Sequence, residues 1–172
     1  MLSRLHSALD WALSRVEDIA MAIGGIAIVL AMLLVSADAI LRYVFAAPLS
    51  FQLHVTEFYL LPAALMMALA WGYRNGGTIQ ITILLAVLPA WLTNLVIRLG
   101  LAAASIYIAV LAWRSYFTFA RAFRRHEVVM GVLDWPVSLS WVWIPLGCGL
   151  LAARLMMDAI APRLRPIGTA HE

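Results

Sequence analysis

Three ionisable residues meet where the first long apolar stretch of this chain gives way to the second. Asp38 and Arg42 are four residues apart and therefore share one face of a helix, while Glu57 comes about one turn into the next apolar stretch. A charged side chain beside hydrocarbon is costly unless it is paired, so we expect an Asp38–Arg42–Glu57 ion-pair network that pins the two helices together. The alternative is a cation or proton site, which would need further carboxylates at mid-membrane depth, and the sequence has none there.

The elements that position these residues are four apolar stretches, each of about the 20 residues that a helix needs to cross a bilayer. They fall at roughly 19–41, 53–73, 92–113 and 138–160. Of the 172 residues 65% are hydrophobic and only 12% are charged, and the mean hydropathy is +0.94. Because a helix satisfies its own backbone hydrogen bonds in lipid, the sequence predicts an all-α integral membrane protein that forms a single domain over residues 1–172.

Two segments outside the spans also have apolar patterns. In the leader, residues 1–18, leucines and a valine recur at helical spacing between charged residues, which predicts an amphipathic helix lying in the membrane interface. Residues 78–90 are apolar but too short to cross, so they form either an interfacial helix or the first part of a long, tilted third span. Pro89 and Trp91 favour the interfacial helix.

Composition and motifs exclude several functions. The positive charge is carried by scattered arginines with no lysine, which disfavours nucleic-acid binding and makes Arg98, Arg154 and Asp158 look like anchors at helix ends. The single cysteine, Cys148, allows no disulfide, and the paired histidines of a membrane haem are missing. No catalytic, metal-binding or nucleotide-binding motif is present. The sequence therefore predicts no catalytic residue, no metal site and no cofactor.

Two further sets of residues are candidates for binding partner proteins. Small residues in three of the spans allow close helix approach, either to a partner or within this chain's own bundle; they are Gly24, Gly25, Gly100, Ala104, Gly149 and Ala153. The densest charge is formed by Arg121, Arg124 and Arg125. These arginines would either attract an acidic partner surface or anchor the chain to lipid phosphates.

The order of these features resembles the small membrane subunit of tripartite ATP-independent periplasmic (TRAP) transporters, the DctQ-like family. The resemblance extends over nearly the whole chain and rests on four segments: residues 42–49 (RYVFAAPL), Glu57 at the start of the second span, residues 70–81 (AWGYRNGGTIQI) and residues 141–147 (WVWIPLG). Such subunits often have two acids where this chain has Thr56 and Glu57. They also often have a histidine at the position of Thr78 and an acid near Thr82, so this chain departs from the family at the glycine-rich turn.

The resemblance implies a subunit that is not an enzyme and that works with two partners. A periplasmic binding protein would deliver an organic acid, typically a carboxylate, to a large membrane subunit that carries it by symport with sodium ions or protons. The small subunit would scaffold the large one and help dock the binding protein. The family topology implies a bacterial inner-membrane location with both termini cytoplasmic, whereas seven arginines inside against five outside barely indicate an orientation.

Two other functions compete with this one. A membrane anchor subunit of a respiratory complex is opposed by the missing histidine pair. A small self-contained oligomeric transporter is opposed by the absence of internal repeats and of deep acids, since complete transporters are built from repeated halves around a midplane site. The transported substrate and the coupling ion would be selected by the partners.

Overall fold

The computed structural model describes residues 2–76, 89–129 and 135–161, which are mostly helical. Four helices are long and apolar enough to cross a membrane, and we refer to them as spans one to four: Leu9–Phe45, Gln52–Arg74, Trp91–Arg125 and Val137–Ile160. The prediction of an all-α membrane protein with four spans is confirmed. The predicted interfacial helix at 78–90, together with Thr78 and Thr82, falls almost wholly outside the described residues.

Span one continues without a break from the leader as a single helix, Leu2–Phe45, of 44 residues. The sequence predicts a separate interfacial helix for the leader, whereas the leader and span one form one continuous helix. Neither glycine nor proline occurs between Leu2 and Ile23, so nothing in the sequence interrupts the backbone hydrogen bonds. At 1.5 Å per residue the helix is about 66 Å long, more than twice the thickness of the hydrocarbon core.

Span three is also longer than its apolar stretch. The helix covers Ala90–Arg125 and ends at His126, which takes the left-handed conformation with φ 48°. The hydropathy pattern predicts an end near residue 113, because hydropathy falls at Arg114. That fall marks the edge of the membrane, whereas the backbone bonds of a helix form equally well in water. Arg121, Arg124 and Arg125 therefore lie on the last turns of a helix and not in a loop.

Prolines interrupt the regular hydrogen bonding of spans two and four. Span two consists of Gln52–Val55, a π-helical turn at Thr56–Leu60, and Leu61–Arg74. Pro62 has no N–H to donate to the carbonyl of Phe58, four residues earlier, and that carbonyl instead accepts from Ser140 Oγ at 2.7 Å. Span four is divided into Val137–Trp141 and Trp143–Ile160, with Pro145 four residues after Trp141.

The spans pack as an open row in the order one, two, four, three. Among the described residues, span one packs on span two, span two on span four, and span four on span three. Span one touches span four only slightly, and spans one and three share no substantial contact in this part of the chain. A short hairpin, in which Val128–Val129 pairs antiparallel with Trp135–Pro136, connects spans three and four.

Small residues line the seams between neighbouring spans. Ala27, Ala63 and Ala64 pack together in the seam of spans one and two. Further buried alanines of these two spans are Ala20, Ala31 and Ala70. A Cβ at Gly24 would lie 3.0 Å from the Ala64 carbonyl oxygen, so span one approaches span two there at backbone distance. A Cβ at Gly147 would overlap the Met66 carbonyl group and lie 2.8 Å from its Cβ, which makes Gly147 essential to the fit of span four on span two.

We predict that Gly147→Ala lowers the stability of the protein while Gly149→Ala leaves it nearly unchanged. The first methyl group has no room, and overpacking of this kind typically costs about 1–3 kcal/mol. The second residue lies in the same helix with no neighbouring atom within 4 Å of its Cβ position, and serves as the matched control. Thermal unfolding in detergent measures the difference. Equal midpoints for the two variants would contradict this packing.

Candidate functional site

Five charged side chains from three spans form a cluster at one end of the row, which we call the Arg154 cluster: Asp10, Glu17, Asp18, Arg74 and Arg154. Arg154 and Glu17 are both fully buried. Arg154 Nη1 donates to Asp10 Oδ1 at 2.7 Å, and Arg154 Nε lies 3.5 Å from Glu17 Oε1. Arg74 Nη1 lies 3.1 Å from Glu17 Oε2, and Arg74 Nη2 pairs with Asp18. Glu17 is thus held between two guanidinium groups.

The helix geometry explains how these residues meet. Asp10 and Glu17 are seven residues apart, which is two helical turns, so both lie on the face of the first helix that is turned to the bundle. Since consecutive spans are antiparallel, the ends of spans two and four return to the level at which span one begins. Arg74 also donates to the Ser14 carbonyl at 2.9 Å. Asp158, one turn beyond Arg154, is buried at the same end.

Arg98 secures the same end of span three to span four. Its Nη1 donates to the Ala159 carbonyl at 3.0 Å and its Nη2 donates to the Ala161 carbonyl at 2.8 Å. The last carbonyls of a helix have no partner within that helix, and Arg98 supplies one from a neighbouring helix. From the sequence, Arg98, Arg154 and Asp158 are expected to be membrane anchors. That interpretation is wrong for the two arginines, because both bind groups of this chain.

The cluster is suited to holding helices together. Both of its arginines contact carboxylates directly, and pairing of this kind makes buried charge tolerable. Among the described residues, no group of three His, Cys, Asp or Glu side chains is arranged to hold a metal ion. This pairing could have been predicted from the sequence. In a four-span topology the acidic leader and the span ends that carry Arg74, Arg98 and Arg154 lie on the same side of the membrane.

The connection between spans one and two is organised around Asp38, at the opposite end of the row, which we call the Asp38 end. Asp38 is buried; its Oδ2 accepts from Arg42 Nη2 at 2.7 Å and its Oδ1 accepts from the Leu49 backbone N–H at 2.7 Å. The Asp38 carboxylate therefore closes the turn that follows span one. Glu57 was expected to complete this network, but it is exposed and forms no ion pair with any described residue.

The hairpin at the Asp38 end is bound to span two. Tyr59 Oη donates to the Pro136 carbonyl at 2.9 Å, and its ring lies 5.8 Å from that of Trp135. The Val137 N–H donates to the Glu127 carbonyl at 2.9 Å and so continues the hairpin toward span four. The exposed side chains of Arg121, Arg124 and Arg125 precede this hairpin, so the bundle carries a cationic surface at the Asp38 end.

A family model decides what kind of protein this is. The model described as "Tripartite ATP-independent periplasmic transporters, DctQ component" matches residues 31–165, most of the chain. The chain belongs to the DctQ family. It is therefore the small membrane subunit of a TRAP transporter, as the resemblance implied. No curated protein and no solved structure matches it significantly.

The matched segment divides the Arg154 cluster of this DctQ subunit. Arg74 and Arg154 lie inside residues 31–165, whereas Asp10, Glu17 and Asp18 precede that segment. The leader helix thus supplies the carboxylates that neutralise two arginines of the family segment. The leader is consequently an integral part of the bundle of this DctQ subunit.

The small residues of the DctQ subunit separate into two groups. Gly24 is used inside the bundle, where it contacts span two. Gly25, Gly100 and Gly149 have no atom within 4 Å of a Cβ position, and Ala104 and Ala153 are exposed. Gly149 also lines an apolar groove of about 550 Å³ between spans three and four, beside Trp113 and Tyr116. The second group, unlike Gly24, remains accessible to lipid or to a partner.

We predict that Arg154→Gln and Glu17→Gln each destabilise the DctQ subunit and that the double variant is more stable than the sum of both losses predicts. Removing one partner leaves a buried, poorly compensated charge, which typically costs about 3–5 kcal/mol, and removing both relieves part of that cost. Arg121→Gln is the control, since Arg121 is exposed. Unfolding in detergent measures the cycle. Strict additivity of the two losses would contradict a direct Arg154–Glu17 interaction.

Proposed function

We propose that this DctQ subunit scaffolds the large membrane subunit of a TRAP transporter, helps to dock the periplasmic binding protein, and carries neither substrate nor catalytic groups itself. The observation that carries the proposal is the open row of spans. In an open row no common interior is enclosed, so each span keeps a face that neighbouring spans of this chain do not cover. Such faces suit a subunit that is completed by a larger membrane protein.

Burial of the individual spans supports a scaffold. Only 6% of the most apolar stretch of span three is buried within the chain, against 28% for span four. Lipid covers exposed apolar faces without penalty, so exposure alone identifies no partner. The DctQ family supplies the partner, because its members function together with a large membrane subunit. Accessible small residues on these faces, such as Gly100 and Ala104 of span three, permit the close helix approach that association in lipid requires.

The role in docking rests on the cationic surface at the Asp38 end. We infer a topology with both termini in the cytoplasm, which places the turn after Phe45 and the hairpin in the periplasm of a bacterial inner membrane. Arg121, Arg124 and Arg125 would then face the binding protein. Charges at the rim of an interface act mainly on the association rate, and salt weakens them because the Debye length is about 8 Å at physiological ionic strength.

The proposal for the substrate class rests on the family resemblance alone. We propose that the complete transporter takes up organic acids, typically carboxylates, by symport with an ion gradient. Neither the substrate nor the ion would be bound by this subunit. The acids of the described residues support that assignment, because they lie near the two ends of the row and not at its middle.

The scaffold role predicts that the tagged chain co-purifies with a large membrane subunit, and that deleting this chain abolishes binding-protein-dependent uptake of a carboxylate. Re-expression of the intact chain should restore uptake. A haem absorbance spectrum in the purified chain would instead support a respiratory anchor. Uptake by the chain alone in liposomes would support a self-contained transporter.

The docking role predicts that replacing Arg121, Arg124 and Arg125 with glutamine slows association of the binding protein several-fold at low salt and much less at high salt. The matched control is the triple lysine variant, which keeps the charge and should associate almost as fast as the native complex. Stopped-flow or surface-based kinetics on the assembled membrane complex measures both. If the glutamine variant assembles and associates at the native rate at low salt, the arginines serve as lipid anchors.

A further inference from the structure

Glu57 differs from the other acids that the structure describes in the spans and the leader. Asp10, Glu17, Asp18 and Asp38 each lie against an arginine of this chain, and Asp158 is buried within the bundle. Glu57 is exposed and has no ion pair among the described residues. A carboxylate in a membrane span is costly without a partner, so the position of Glu57 calls for a cation from outside this chain.

The depth of Glu57 in the membrane increases its need for a cationic partner. Asp18 and Asp38 mark the two ends of the uncharged part of span one, and they are about 30 Å apart along the helix, which equals the hydrocarbon thickness. Glu57 precedes Arg74, the partner of Asp18, by 17 residues. That distance is about 25 Å, so Glu57 lies roughly one helical turn closer to the membrane centre than Asp38.

The surroundings of Glu57 on the outer surface of span two are apolar. Leu53 lies four residues before Glu57, Leu61 and Leu65 lie four and eight residues after it, and the three leucines are 68%, 45% and 64% exposed. We call these three leucines with Glu57 the Glu57 stripe. The Glu57 stripe is an apolar face with a single negative charge. It is complementary to a membrane helix whose apolar face carries one basic residue at the same depth.

The backbone holds Glu57 in this orientation. The two residues after it are both bonded to the last part of the chain, since the Phe58 carbonyl accepts from Ser140 and Tyr59 Oη donates to the Pro136 carbonyl. The π-helical turn that contains Glu57 is therefore fastened to span four. Arg42, which lies near the end of span one, is bound to Asp38. Glu57 thus stays directed away from the rest of the chain.

We propose that the Glu57 stripe binds a helix of the large membrane subunit and that a lysine or arginine of that helix pairs with the Glu57 carboxylate. This inference rests on the proposed function, because it takes the large subunit as the partner. Charge complementarity selects this occupant over a lipid acyl chain, which offers no cation at hydrocarbon depth. The interaction would fix both the contact face and the vertical register of the two subunits.

The test uses the whole transporter, purified through a tag on this chain. Glu57→Gln should reduce the co-purified large subunit at least about threefold, since removing one partner of a buried charge pair raises the dissociation rate. Glu127→Gln is the matched control, because Glu127 is an exposed acid at the Asp38 end whose backbone, not its side chain, bonds the hairpin. Undiminished recovery with Glu57→Gln would overturn the inference.

A photo-crosslinking residue at Leu61 provides the second measurement and leaves Glu57 in place. We expect a cross-link to the large subunit. A cross-link only to lipid, or only to a second copy of this chain, would overturn the inference while the native complex still co-purifies and the proposed function stands. Failure of the native chain to bring down any large subunit would refute the proposed function itself. Charge exchange, with Glu57→Arg restored by an acidic residue at one basic position of the large subunit, would identify the paired residue.

Discussion

The buried contact between Arg154 and Glu17 is the interaction on which the arrangement of the spans depends. In lipid no hydrophobic force drives one helix onto another, so packing and polar contacts must select the neighbours. Arg154 and Arg74 share Glu17 and thereby join spans one, two and four. Arg98 adds span three through the carbonyls of Ala159 and Ala161. All four spans thus converge at this end through charged groups.

The Asp38 end is held differently. Apart from the contacts of the Asp38 carboxylate with Arg42 and with the Leu49 N–H, the contacts described there are hydrogen bonds between neutral groups, such as Ser140 to the Phe58 carbonyl and Tyr59 to the Pro136 carbonyl. Pro62 is the cause of the first of these, since it leaves that carbonyl without its helical donor. The structure is therefore clamped by charge at one end. At the other it presents exposed arginines and an exposed carboxylate.

The open row explains why a bundle with so little interior can serve a membrane complex. Alanines and glycines line its internal seams, which brings the backbones close but buries few large side chains. Large apolar residues instead face outward. In water such a surface would cause aggregation, whereas in a membrane it is covered by lipid or by another subunit. The DctQ family is a component of a tripartite transporter, and the proposed scaffold role would use this outward surface for contact with the large subunit.

Much of this protein could be predicted from residue spacing, and the errors have identifiable causes. Hydropathy located four spans because bilayer thickness sets their length, but it placed the end of span three too early, since a helix does not stop where the membrane does. For the same reason, hydropathy predicted a separate leader helix although the helix continues unbroken from the leader into span one. The contact of Asp38 with Arg42 follows from their separation of four residues, whereas the position of Glu57 could not be derived in this way.

The sequence by itself thus determined the helices, their number, the family and the local pair at Asp38, because each depends on composition or on neighbours along one helix. Only the tertiary structure decided which spans touch, that Glu17 and Arg154 meet across 137 residues of chain, and that Glu57 faces outward. These outcomes depend on rotation about helix axes. A π-helical turn or a single close glycine contact changes such a rotation without leaving a periodic signal.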